Sequence, residues 1–290
     1  MNFLKLRINY VALIASTICW GFAVPFSDIA VEFFSPAELT LIQTASALVF
    51  MITILSIKGH KLRVPWRLAL LLGFLEPAMS FYFGNLGFER GSVAIGAVIL
   101  GTEPLFVAAL GVILLKEKLN RVETIAVILG FSGAVIASEP WLESINIDTL
   151  GIIFFFIAAL FSALYVLTMH RLGVYVDILS LVFGQMLVSS SISFIIYLFS
   201  PERNTSNTFS NWFLFTAIFS GILGVGLAFM LFNYAAKSIK AGHLAVALNF
   251  NLVITFLAAW MLGRGAPGLF QIIGAILILI SLQALKEKSP

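Results

Sequence analysis

The chain has 290 residues, of which 60% are hydrophobic and 11% charged, where soluble domains carry about 25% charged residues. A chain this apolar cannot hide its surface in one soluble core, so lipid must solvate the rest. One cysteine, Cys19, excludes an intrachain disulfide and a thiolate metal cage, and the net charge of +3 reads as membrane topology rather than a nucleic-acid footprint.

Ten apolar stretches follow one another: 10–31, 36–57, 66–88, 92–115, 121–138, 149–170, 177–199, 211–234, 241–263 and 267–285. Each approaches the roughly 20 residues that a spanning helix needs. The first is too long for the apolar region of a cleaved signal peptide and is expected to be a retained helix. The runs are continuously apolar, whereas barrel strands alternate. Short polar breaks separate them, among them Phe34-Ser35-Pro36 and Arg264-Gly265-Ala266-Pro267, and the longest connection runs from Ser200 to Asn211. No loop is long enough to fold as a separate domain.

With the N-terminus placed inside, 14 of the 17 Lys and Arg residues fall in inside segments, and only Arg90, Arg203 and Arg264 fall outside. Inside loops carry the Lys/Arg excess, so both termini are expected to be cytoplasmic. An acidic outside linker, Glu139 to Asp148, divides the chain into 1–139 and 149–290, five spans each. An odd number per half turns the second half over, so the expected fold is all-α: two inverted five-helix repeats with the binding site between them. A shift of 148 residues overlays Ala97-Val98 on Ala245-Val246, Leu100 on Leu248 and Ile128-Leu129 on Ile276-Leu277. In so apolar a chain these identities are weak; the loop pattern is the better argument.

The third and fourth spans hold the sharpest signal, Glu76-Pro77 and Glu103-Pro104. At 1.5 Å per residue, Glu76 lies about 15 Å from the inner end of its helix and Glu103 about 16 Å from the outer end of its own. In a hydrocarbon layer about 30 Å thick both acids sit near the midplane, and no Lys or Arg in any span lies at that depth. An intramembrane acid is a functional hypothesis by default. The competing reading is structural: each Glu is neutral and bonds a backbone group that the adjacent proline frees.

Other polar residues follow along the chain. Trp20, too deep for an interfacial belt, shares a face with Ser16, Ala23 and Ser27 and is expected in a cavity wall. Tyr82 and Tyr165 lie late in the third span and mid-depth in the sixth. Gln185, Ser189 and Ser193 recur every four residues in the seventh, which favours a helix–helix seam, and Asn85 likewise reads as a packing residue. Asn249 and Asn251 in the ninth span are about 200° apart, so one faces the cavity and Asn251 is the choice, since the 148-residue shift places it on Glu103. Gly221, Gly224 and Gly226 in the eighth span permit close contact or bending. His60, His170 and His243 are scattered without ligand spacing, and the last two, near inner helix ends, are expected to be solvated. No GxxxxGK[ST] loop and no HExxH is present.

The chain resembles the drug/metabolite transporter superfamily, specifically its EamA-type ten-helix members, along its whole length. The carriers are Trp20-Gly21, Ser35-Pro36, Gly91-Ser92-Val93-Ala94, Pro104, Lys116-Glu117-Lys118 and Ile273-Gly274-Ala275. It departs at Asp28 and Gln43, where basic residues are frequent, and at Leu252 and Gly265, in place of a proline and a Gly-Glu. The resemblance implies a secondary carrier with a central cavity, usually an exporter of small metabolites.

These readings converge on an alternating-access carrier in the inner membrane of a bacterium. Its substrate site is expected at Trp20, Glu76, Tyr82, Glu103, Tyr165 and Asn251, with Glu76 and Glu103 also available for proton coupling. An acid-rich site without deep cations suits amines, zwitterions or aromatic cations. The expected partners are a small-molecule substrate, the lipid bilayer and protons, without nucleic acid, metal or cofactor. A proton-independent facilitator or importer, a lipid-linked flippase and a non-transporting partner or sensor stay open as alternatives. An intramembrane enzyme is disfavoured, because no nucleophile–base constellation is present.

Overall fold

The computed structural model describes residues 3–90, 99–100, 103–116, 120–138, 149–172, 176–200, 210–239, 241–263 and 268–286. These residues are helical wherever they are regular, and the helices fall where the apolar runs predict them. They are α1 (Phe3–Val31), α2 (Pro36–Lys58), α3 (Trp66–Gly73, continuing through Phe74–Met79 and Ser80–Arg90), α4 (Glu103–Leu115) and α5 (Arg121–Ser138). The second half supplies α6 (Thr149–Leu172), α7 (Ile178–Phe199), α8 (Asn211–Ser220, continuing through Gly221–Leu227 and Ala228–Ala236), α9 (Ala241–Met261) and α10 (Leu269–Lys286). Five stretches, Arg7–Val31, Pro36–Lys58, Thr149–Leu172, Ile178–Phe199 and Asn211–Ala236, are long and apolar enough to cross a membrane, and shorter apolar helices include Phe250–Met261 and Ile272–Ser281. The motif Gly91–Ala94, the pair Glu117-Lys118, the linker Glu139–Asp148 and the segment Arg264–Pro267 lie outside the described residues.

Local chemistry makes the loops short. Ser35 accepts from the Glu38 N–H while the Glu38 carboxylate accepts from the Ser35 N–H at 2.8 Å, a reciprocal cap completed by Pro36 in the first turn of α2. Asn120 and Glu123 repeat the reciprocal cap at α5. Gly59 closes α2 at φ 55°, a left-handed position that glycine adopts without strain.

The packing order is reciprocal. Helix α1 lies against α8 and α9, and α6 against α3 and α4; α2 meets α7, α4 meets α9, and α5 meets α10. Exchanging every helix with the one five places later leaves this set of neighbours unchanged. The bends obey the same exchange, since α3 is interrupted at Phe74–Met79 and α8 at Gly221–Leu227, 147 residues later at the first residue. The structure thus carries a repeat that the sparse sequence identities barely register.

Candidate functional site

Helix α3 breaks at Glu76, whose backbone is extended (φ −154°, ψ 133°) inside an otherwise helical rod, and a cis peptide joins it to Pro77. Proline supplies no N–H and cannot continue the ladder, so carbonyls upstream lose their partners. Helix α7 replaces them. The Gln185 side-chain amide donates to the Glu76 carbonyl at 2.9 Å, and the Ser189 hydroxyl donates to the Gly73 carbonyl at 2.9 Å. Gly73 makes this approach possible, because a Cβ there would lie 2.7 Å from the Gln185 carbonyl oxygen. The polar stripe on α7 is therefore a helix–helix seam, as its spacing predicts, and one that serves the break.

With its backbone held from α7, Glu76 points its carboxylate at α6. Ser162 donates to Glu76 Oε2 at 3.1 Å and also neighbours the Glu103 carboxylate. The two acids are close enough to act on each other electrostatically, and Ser80, bonded to the Ala158 carbonyl at 3.2 Å, flanks Glu76. Glu76 is buried and Glu103 half-buried. Among the described residues no Lys or Arg pairs with either. One turn below Ser162 on α6, Tyr165 is fully buried and donates its hydroxyl to Asn233 of α8. Asn233 in turn donates to Gln185 Oε1 at 3.1 Å. Glu76, Gln185, Asn233 and Tyr165 thus form one buried polar chain across α3, α7, α8 and α6.

The structure brings three of the six sequence-predicted site residues together: Glu76, Glu103 and Tyr165. Trp20 is half-buried beside them, its ring 5.4 Å from Phe229 and 5.3 Å from Phe232, and Tyr165 lies 5.3 Å from the same Phe229. Tyr82 is half-buried and meets Phe83 at 5.8 Å. Asn251 is half-buried on α9 and accepts from the Thr255 hydroxyl at 3.3 Å. The Asn249 side chain lies outside the described residues. Asn85 bonds Thr40 of α2 at 2.9 Å, the packing role expected of it. Sequence reasoning passed over Ser162, Ser80 and Asn233; the signal for the last was available, because the 148-residue shift pairs it with Asn85.

The bend in α8 is built from glycine. A Cβ on Gly221 would meet the Gln43 carbonyl oxygen at 2.5 Å, one on Gly224 the Ala23 Cβ at 2.6 Å, and one on Gly226 the Phe50 ring at 2.8 Å. These glycines provide both the wide turn and the close contact expected of them.

All three histidines tie segments together on one face, which corrects the expectation that His170 and His243 are merely solvated. His243 of α9 bonds the Tyr10 hydroxyl of α1 at 2.7 Å and faces Glu123 of α5 at 3.8 Å. His170 meets the Ala236 carbonyl at 3.2 Å. His60 pairs with Asp177 at 2.7 Å, joining the α2–α3 and α6–α7 connections. Partial burial would raise the Asp177 carboxyl, but hydrogen bonds from the Ser180 hydroxyl and N–H and from His60 outweigh it and hold that carboxyl below its usual range.

Two stretches of the chain, residues 7–138 and 149–285, match the model of the EamA-like transporter family, and the chain belongs to that family. An uncharacterized transporter of Helicobacter pylori is 27% identical over 192 residues, so the match spans 63% of each chain. A riboflavin transporter of Vibrio cholerae is 27% identical over 189 residues, 63% of this chain and 59% of that one. A solved crystal structure superposes with a TM-score of 0.81 over 98% of this chain and 97% of its own at 17% identity, a likeness of fold.

Proposed function

We propose that this EamA-like chain is a secondary active carrier of small organic metabolites bearing an amine or another cationic group. It crosses the inner membrane ten times as two inverted repeats, 1–139 and 149–290, with both termini cytoplasmic, and works by alternating access, in the direction of export. The observation that supports the site most is the pair of acids at the broken helix, Glu76 and Glu103, sharing Ser162 without a basic partner among the described residues. Discontinuous helices near the midplane are a recurrent place for substrate and coupling ions. In a low-dielectric site two neighbouring carboxylates do not both stay ionised without a cation. A proton and a cationic substrate can therefore occupy the pair in turn, which is the exchange that antiport needs. The half-buried Trp20 offers a ring face to a cation, and Tyr165, Tyr82 and Asn251 complete the proposed wall.

The test begins with a thermal-shift screen of the purified protein against amino acids, polyamines, quaternary amines and nucleotides, in which binding raises the melting temperature by mass action. An amine that stabilises the native chain should fail to stabilise Glu76→Gln, and its transport in reconstituted vesicles should lose its pH dependence while the variant still inserts and folds. Unchanged pH dependence in Glu76→Gln removes that residue from coupling.

A second reading has its own support. The relative that carries riboflavin, together with the rings of Trp20, Tyr165, Phe229 and Phe232 beside the acids, favours a flat, uncharged aromatic cargo moved without protons. Riboflavin in the same screen separates the two, since its stabilisation should survive Glu76→Gln.

A further inference from the structure

The two halves present the same local arrangement twice, and only one copy is complete. In α7, Gln185 sits where its carbonyl and Val188 cover Gly73 at the start of the α3 bend. In α2, Gln43 sits where its carbonyl and Ser46 cover Gly221 at the start of the α8 bend. Gly73 and Gly221 are 148 residues apart, and Gln43 and Ser46 each precede their counterparts by 142. Asn85 and Asn233, again 148 apart, occupy matching places on the bent helices.

The hydrogen bonds differ. Gln185 uses both ends of its amide, giving to the Glu76 carbonyl and receiving from Asn233. Gln43 gives its Nε2 to Ser27 Oγ at 3.0 Å and Ser220 Oγ at 3.1 Å, and its Oε1 is buried with no donor. Flipping the amide does not repair this. Both serine hydroxyls already donate to backbone carbonyls, Ser27 to Ala23 and Ser220 to Ala217, so they present acceptors to Gln43. Asn85, the residue matching Asn233, gives its amide instead to Thr40, one turn away from Gln43 on α2.

We infer that Asn85 and Gln43 form a latch that closes in the opposite access state, the counterpart of the Asn233–Gln185 bond closed here. The inference rests on the alternating-access reading. If a two-fold axis in the membrane plane relates the halves, the state open to one face maps onto the state open to the other with the halves exchanged. A bond made in the second half in one state then has its counterpart in the first half in the other. Asn85 moves its donor from Thr40 to Gln43 Oε1, and Asn233 releases Gln185. The unpaired Gln43 oxygen holds this state short of full stability, which keeps the two states close in energy.

Two pairs of spin labels on a Cys19→Ser background test this. One pair is at the exposed positions Lys58 and Arg171 on the histidine-bearing face, the other at the exposed positions Glu89 and Ser210 on the far face. Alternating access predicts two distance populations in each pair, one pair widening as the other narrows. Asn85→Leu should shift the ratio about tenfold towards the present state, because it removes the latch there and only a donor to Thr40 here, whose hydroxyl still bonds the Pro36 carbonyl at 2.6 Å. Gln185→Leu, or Asn233→Leu if that variant fails to fold, should shift it in the opposite direction. Two populations that Asn85→Leu leaves in place, or that both variants move the same way, overturn the latch and leave the carrier standing. A single population in both pairs overturns the carrier reading itself.

Discussion

The bends in α3 and α8 occupy matching places in the two halves and are made by opposite means. In α3 the break comes from Glu76-Pro77, and its freed carbonyls are capped by Gln185 and Ser189 from the facing half. In α8 the wide turn comes from Gly221, Gly224 and Gly226, whose missing side chains admit α2 and α1. The first is polar and holds an acid against a second acid; the second is a steric fit with no ionisable group in the turn. A two-repeat plan therefore does not impose two-fold chemistry: one bend brings two acids together, and the other is a close steric fit between helices.

The strongest way to break this contrast is to fill the steric bend. In Gly221→Ala the new methyl meets backbone atoms of Gln43, oxygen at 2.5 Å and Cα at 2.7 Å, which cannot rotate away. Overpacking of this kind costs about 1–3 kcal/mol, and Gly221→Ala belongs at the upper end. Gly73→Ala, at 2.7 Å from the Gln185 oxygen and 2.9 Å from the Val188 Cβ, should cost less, because the break three residues on lets α3 yield. Melting temperatures of the purified variants check the order; equal losses would mean that the polar bend is as rigid as the glycine one.

The asparagines sharpen the same contrast at a lower energy. Asn233→Ala removes the donor to Gln185 and the acceptor of Tyr165, both fully buried. Hydrogen bonds between membrane helices contribute about 0.6 kcal/mol on average and up to about 1.7, so a loss near the top of that range is expected. Asn85→Ala removes only a donor to Thr40, whose hydroxyl still bonds the Pro36 carbonyl at 2.6 Å, and should cost less than half as much. Matching losses in melting temperature would remove the distinction between the completed and the uncompleted copy.

The helices were legible because spanning segments must be long, apolar and internally hydrogen-bonded, and the breaks between runs coincide with the caps at Ser35 and Asp177. The acids were legible because a carboxylate within an apolar run stands out whether it serves function or pairs, neutral, with a backbone group freed by the adjacent proline. Ser162 and Asn233 were not, since a serine or asparagine within a span is ordinary packing chemistry until its neighbour across the interface is known. The repeat was hidden for a related reason: Gln43 and Gln185 correspond at a spacing of 142 and Gly73 and Gly221 at 148, because the connecting loops differ in length. No single shift aligns the two halves.

The smallest effect lies at the caps, where the halves also diverge. Ser35 starts α2 with a neutral hydroxyl; Asp177, 142 residues later, starts α7 with a carboxylate that also pairs with His60. The Asp177 carboxyl is held below its usual range in the folded chain. A depressed carboxyl contributes stability that is complete above the unfolded value and disappears as the pH falls through the folded one. Asp177→Ser restores the form of cap found at Ser35 and removes the charge. Because the carboxylate is 42% exposed, the loss at neutral pH should stay below about 1 kcal/mol. The informative readout is the difference in melting temperature between the parent and Asp177→Ser, followed from neutral pH down through the carboxylate range. It should close as the parent loses its charge, and a difference that persists in acid would assign the effect to packing at the cap rather than to the pair with His60.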